Sequence, residues 1–243
     1  MDRILPLDLR RFVRSEHTQH HNEGTEGYID IARSLLKLAD IAKFKSGGEL
    51  ATFRIAESDL YSPLREHLEA VLPLRGLIDD QAVLHKTGTT RRTDLSIRQL
   101  RDVGKERNAK DIGYTHLIEI KSLFYGDDDL RTAVLEYDLR KLADCKVAYD
   151  ATCFFALVGL NARLARCKAV APLLKRSDGA PWLYDLTDGT RIAIRHAGEF
   201  CGEALSVFVF EVFPHAAKAS SSRRSGASYA IFQRRVDMPA YDQ

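Results

Sequence analysis

Several things are scarce in this 243-residue chain, and each scarcity closes off a class of function. The four cysteines, Cys145, Cys153, Cys167 and Cys201, contain no C-x-x-C pair, so the spacing of a zinc site or a redox motif is missing and reduced, mostly buried thiols are expected. No run approaches the ~18 consecutive apolar residues of a membrane span. The opening stretch "MDRILPLDLRRFVRSEH" has neither the apolar block nor the small-residue cleavage site of a secretory signal, and the expected location is the cytoplasm. One-sided charge is missing too: 36 Lys and Arg stand against 34 Asp and Glu, a net charge of +2. That balance excludes a bulk polycation, and any nucleic-acid surface must come from local clustering.

What is present is a globular composition, 45% hydrophobic and 29% charged, in a chain long enough to bury roughly 70 to 75% of its extended surface. Residues 1–50 read as a helical arm. Within it "HTQHHNEG" is polar, "GYIDIARSLLKLADIAKF" has helical spacing, and "KSGGE" supplies a glycine stop. A second helix follows "AESD", with Leu60, Leu64 and Leu68 as its stripe and Pro63 expected in its first turn. Three strand candidates come next: a weak "LIDDQAVLH", a better "RRTDLSI" and the clearest, "HLIEIKSLF". The last two are joined by a charged connection read as a long hairpin loop. "GDDDLRTAVLEYDLRKLADCK" reads as a helix with three aspartates at its positive end and a core stripe of Leu130, Val134, Leu135, Leu139 and Leu142. "TCFFALVGL" suits a strand covered on both faces. "NARLARCKAVAPLLKR" is expected to be helical up to Pro172, "WLYDLTDGTRIAIR" to be a hairpin turning at Asp188-Gly189, and "ALSVFVFEVF" to be another core strand. Residues 216–243 read as a basic, mobile tail.

Alternation along "HLIEIKSLF" puts Leu117, Glu119 and Lys121 on one face, and stability alone is a poor reason to bury an acid and an amine there. The same alternation in "RRTDLSI" puts Asp94 and Ser96 on one face. If the two strands form a hairpin, Asp94 falls across from Glu119. Two carboxylates converging with a lysine describe a hard-cation site for Mg²⁺, with Lys121 beside the attacking water or offsetting phosphate charge. Glu57, at the head of the preceding helix, is the candidate third acid, with Glu66 and Glu69 as competitors.

Asp94, then Glu119-Ile120-Lys121, in the order helix, three strands, helix, strand, resembles the PD-(D/E)XK nuclease superfamily over about residues 50 to 160. "ESDLYSPLREHLEA" is also similar to the first core helix of some small bacterial members. Thr93 stands where the motif's name has proline. The resemblance implies an α/β, restriction-endonuclease-like αβββαβ core with a central mixed sheet, spanning residues 51–215 with a C-terminal β extension and preceded by the helical arm. It implies a Mg²⁺-dependent nuclease, with Mn²⁺ able to substitute, acting on nucleic acid and on DNA first. Asp94 and Glu119 would be metal ligands, Lys121 the water-activating lysine and Glu57 an accessory acid that joins them at the metal. A homodimer is a further expected partner, since enzymes that cut both strands often pair their subunits.

Plainer readings stand beside these. Glu119 and Lys121 could be an ion pair on a half-exposed edge strand, and Glu57 an acid favoured by the helix dipole. Arg91, Arg92, Arg98, Arg101 and Lys105 could track phosphates, or form a solvated loop neutralised by Asp102, Glu106 and Asp111. Tyr137 has core spacing. Trp182 and Tyr184 could stack on a base or be structural, and His17, His20, His21 and Glu23 suit a mobile polar segment more than a metal site. The alternative function is a catalytically inactive nuclease-fold module that binds nucleic acid or a protein partner in a bacterial defence or mobile-element system.

Overall fold

The computed structural model describes residues 31–48, 55–72, 77–87, 91–106, 109–124, 130–175 and 180–215. The histidine-rich segment with His17, His20, His21 and Glu23, the aspartates Asp127, Asp128 and Asp129, and the basic tail lie outside the described residues.

Two short helices, α1 (Ile31–Leu35) and α2 (Leu38–Lys45), come before α3 (Glu57–Val71). Strands β1 (Ile78–Val83), β2 (Arg92–Arg98) and β3 (Tyr114–Leu123) lead into α4 (Thr132–Tyr149) and β4 (Thr152–Leu160). Helices α5 (Asn161–Arg166) and α6 (Ala171–Leu174) are followed by β5 (Trp182–Asp185), β6 (Arg191–Cys201) and β7 (Leu205–His215). All seven strands form one mixed sheet in the order β1-β2-β3-β4-β7-β6-β5. Among the described strands only β3 and β4 pair in parallel, as expected for strands joined by a helical crossover.

The apolar run of β4 is fully covered because its alternate residues enter two different cores. Cys153, Phe155 and Leu157 pack with Leu135, Leu139 and Leu142 of α4 on one face. Phe154, Ala156 and Val158 pack with Leu60, Leu64 and Leu68 of α3 on the other. Each fully buried side chain of this kind contributes about 1.5 to 3 kcal/mol. Leu35, Leu38 and Ala42 belong to the second core, so the described part of the expected N-terminal arm, residues 31–45, packs into the sheet's covering layer.

Other expectations are corrected. Pro63 is the seventh residue of α3, not in its first turn, and leaves the Asp59 carbonyl without that backbone donor. Val134 is 44% exposed, while Asp138 and Lys141 of the same helix are buried. The segment expected to be one helix after β4 is broken by a turn at Lys168–Val170, with Pro172 inside the first turn of α6, where a missing N–H costs nothing. Strand β6 runs on through "HAGEFC", with irregular register at Ile192/Ile194 and His196/Gly198. The expected hairpin is present, with Gly189 at φ +80° in its turn.

Candidate active site

Strands β2 and β3 pair antiparallel at Ile97–His116, Ser96–Leu117 and Leu95–Ile118, and the ladder stops there. Past that point side chains take over the backbone's hydrogen bonds. Ile120 N donates to Asp94 Oδ2 (2.8 Å) and Asp94 N to Glu119 Oε1 (3.3 Å). Thr93 Oγ1 donates to Ile118 O (2.9 Å). The opening between the strands is therefore where the two acids lie, on adjacent strands as alternation requires. With an open ladder, α3 on one face of the sheet and α4 on the other can both reach the same point.

From α3, Tyr61 Oη donates to Asp94 Oδ1 (2.7 Å), and Glu57 Oε2 lies 3.2 Å from Lys121 Nζ. Tyr61 is one helical turn after Glu57, so both side chains leave the same helix face. From β1, Gln81 Nε2 donates to the same Asp94 oxygen (3.1 Å). Gln81 has φ +52°, a left-handed conformation that is uncommon outside glycine and costs about 1 kcal/mol or more. From α4, Lys141 Nζ lies 2.7 Å from Glu119 Oε1 and 3.1 Å from Asp138 Oδ1. Asp138 Oδ2 is 3.1 Å from Lys121 Nζ, an ion-pair distance without the angle of a hydrogen bond, so that buried oxygen accepts none.

Glu57, Asp94, Glu119 and Lys121 are thus brought into one cluster. Glu119 and Lys121 are not each other's partners, however: Glu119 is held by Lys141, and Lys121 by Glu57 and Asp138. The edge-strand ion pair is excluded, because β3 is interior to the sheet and Glu119 is 2% exposed. Tyr61, Gln81, Asp138 and Lys141 were not expected from the sequence. Asp138 and Lys141 are polar residues set into the apolar spacing of α4, and that interruption is the signal that points to them. Nothing in the sequence marks Gln81.

Four carboxylates face two ammonium groups, which leaves two formal negative charges in excess. Burial, and next the Asp94 carboxylate, push the Glu119 carboxyl up to about 8 despite Lys141. Burial also raises Glu57, with Asp94 adding to it against Lys121. Burial alone would lower the Lys121 ammonium, yet Asp138, Glu57 and Glu119 outweigh it and hold it above its ordinary value. Lys121 is accordingly a charged donor rather than a base. The donor set is all oxygen, as hard cations prefer. Among the described residues no group of three or more His, Cys, Asp or Glu side chains is arranged as a ready metal cage. Asp94 and Glu119 on their own offer two carboxylates, with Glu119 Oε1 accepting from Asp94 N and lying against Lys141 Nζ.

The basic residues divide. Arg98 is buried, its guanidinium bound to both Asp79 oxygens (2.6 and 2.9 Å) and to the carbonyls of Asp102 and Lys105, so it is a structural clamp and not a phosphate contact. Lys105 pairs with Asp102 (2.8 Å) and Asp111 (2.5 Å), as in the self-neutralised loop reading. Arg91 pairs with Asp144 (2.7 Å) and lies over the Tyr137 ring. Arg92 and Arg101 are exposed. Tyr137 is half exposed rather than core, whereas Trp182 and Tyr184 are buried, with Trp182 edge-on to Phe210, which removes them as base-stacking platforms. Among the described residues no helix is long and apolar enough to cross a membrane. No family model matches this chain, and neither a curated protein nor a solved structure matches it.

Proposed function

We propose that this chain is a divalent-cation-dependent nuclease with a restriction-endonuclease-like core, acting on DNA before RNA. The observation that carries the reading is the convergence of Asp94 and Glu119 at the opened end of the β2–β3 ladder, where acids outnumber amines, their crowding raises the Glu119 carboxyl, and a divalent cation would relieve it. The order α3-β1-β2-β3-α4-β4, with β1–β2 and β2–β3 antiparallel and β3–β4 parallel, supports the fold half of the proposal.

In this reading Asp94 and Glu119 hold Mg²⁺ or Mn²⁺, which supplies charge stabilisation to a phosphodiester under hydrolysis. Tyr61 and Gln81 fix the Asp94 carboxylate from one side, and Ile120 N from the other, so it is oriented before any ligand arrives. Lys121, kept charged by Asp138 and Glu57, offsets negative charge building on the phosphoryl oxygens and orients the attacking water. Glu57 is one-third exposed and holds Lys121 at the rim of the cluster.

The test is cleavage of plasmid and single-stranded oligonucleotide with Mg²⁺ or Mn²⁺, in native protein and in Asp94→Asn and Lys121→Ala. Asp94→Asn keeps an acceptor for Ile120 N, removes the charge, and puts an NH₂ donor where Oδ1 accepts from Tyr61 and Gln81. Each substitution is expected to lower the cleavage rate by at least about a hundredfold, as loss of one electrostatic stabiliser does. Undiminished cleavage in both variants would remove the site. One observation favours a second reading, an inactive binding module: Lys141 already neutralises Glu119. That reading expects nucleic-acid binding unaffected by EDTA and no cleavage.

A further inference from the structure

We infer that Lys141 is a tethered cation that occupies Glu119 in place of the divalent ion and thereby sets how tightly the site takes that ion up; the inference rests on the metal-dependent reading above. Glu119 is 2% exposed, and an ionised carboxylate at that depth is costly unless a cation neutralises it. The nearest cation is Lys141, whose Nζ is 2.7 Å from Oε1 and whose side chain is only 6% exposed. The two lysines of the cluster are not equivalent. Lys121 contacts Glu57 and Asp138 and neither proposed ligand, whereas Lys141 sits on one of the ligands itself.

An ammonium and a divalent cation cannot crowd onto one buried carboxylate without strong repulsion. Glu119 must therefore give up Lys141 when it takes up a metal ion. The place for Lys141 to go is already built. Asp138 precedes it by three residues on α4 and accepts its ammonium at 3.1 Å, so the contact that remains is local to one helix turn. The Tyr137 ring, half exposed and 5.9 Å from Nζ, offers a cation–π surface on the outward side. Asp138 is thus a positioning residue for two lysines, and of the two proposed metal ligands Lys141 acts on Glu119.

The experiment is Mn²⁺ titration of the full chain, followed by electron paramagnetic resonance and by thermal shift, for native protein, Lys141→Met and Lys121→Met. Competition predicts that Lys141→Met binds Mn²⁺ at least tenfold more tightly than native protein, with Lys121→Met changed much less. It also predicts a lower melting temperature for metal-free Lys141→Met that Mn²⁺ restores, a recovery that a merely structural lysine would not give. Where metal-free Lys141→Met fails to fold, the pair Lys141→Met with Asp138→Asn removes one charge of each sign and carries the same expected tightening. Equal affinity in native protein and the Lys141 variants, or equal tightening from Lys121→Met, would overturn the competition while leaving the nuclease proposal standing. Binding by the Lys141 variants but not by native protein would uphold it and refute activity in the native chain. No binding by any of them would remove both.

Discussion

Thr93 stands beside the opened ladder, and its hydroxyl spans to Ile118 O at a position where proline could offer neither hydroxyl nor N–H. Thr93→Val keeps the shape and loses the bond. It is expected to lower stability by about 1 kcal/mol, read as a lower urea midpoint with an unchanged slope. Residues at this scale differ in how visible they were in the sequence. Asp94, Glu119 and Lys121 could be placed by counting in twos along two strands, since alternation is a property of the backbone. Asp138 and Lys141 needed the converse signal, polar residues where the helical stripe of α4 expects apolar ones. Lys141 being on Glu119, with Lys121 elsewhere, was not legible, because the partner of a long flexible amine depends on which acids three separate elements bring within its reach.

At the scale of elements, the parallel contact of β3 with β4 fixes how α4 lies over the site. Gly159 lies opposite Leu123 in that pairing, and a Cβ on it would come within 2.7 Å of Leu123 Cβ and 2.8 Å of Leu123 O. A backbone atom is among the obstacles, so the strands would have to part. Gly159→Ala is expected to cost about 1 to 3 kcal/mol, measured by thermal or urea unfolding. The strands and helices with strong periodicity, β3, β4, α3 and α4, were visible from their sequences. The break between α5 and α6 and the long extension of β6 were not. In β6 the residues past Arg195 are, Phe200 apart, polar or small, and it is pairing with β7 rather than local preference that keeps them extended.

For the whole molecule, two buried groups set opposite slopes of stability against pH. Burial, with Lys146 adding to it, holds the His116 imidazole down to about 4, so the folded state refuses a proton that the unfolded state accepts near 6.5. Stability is therefore lost as pH falls from about 6.5 to 4. Glu119 does the reverse. Its folded carboxyl keeps a proton up to about 8 that the unfolded one releases near 4.5, so stability falls as pH rises through that window. Between pH 6.5 and 8 the Glu119 effect stands without the histidine's. There native protein is expected to lose stability as pH rises, seen as a falling melting temperature. Glu119→Gln should flatten that slope, and an unchanged slope would show that Glu119 is not the group responsible.

The sequence by itself determined the elements and the faces. Periods of two and 3.6 and the spacing of turn residues carry the strands and helices of the α/β arrangement and the faces that hold Asp94 and Glu119, because these are short-range consequences of backbone geometry. Only the tertiary structure decided which charges meet. It put residues 31–45 into the core, buried Arg98 on Asp79, gave Lys121 to Glu57 and Asp138, and gave Glu119 to Lys141. Those pairings depend on where an open ladder lets two helices approach from opposite faces. Electrostatic energy in a buried site depends on ångström separations between residues far apart in the chain, which no local pattern encodes.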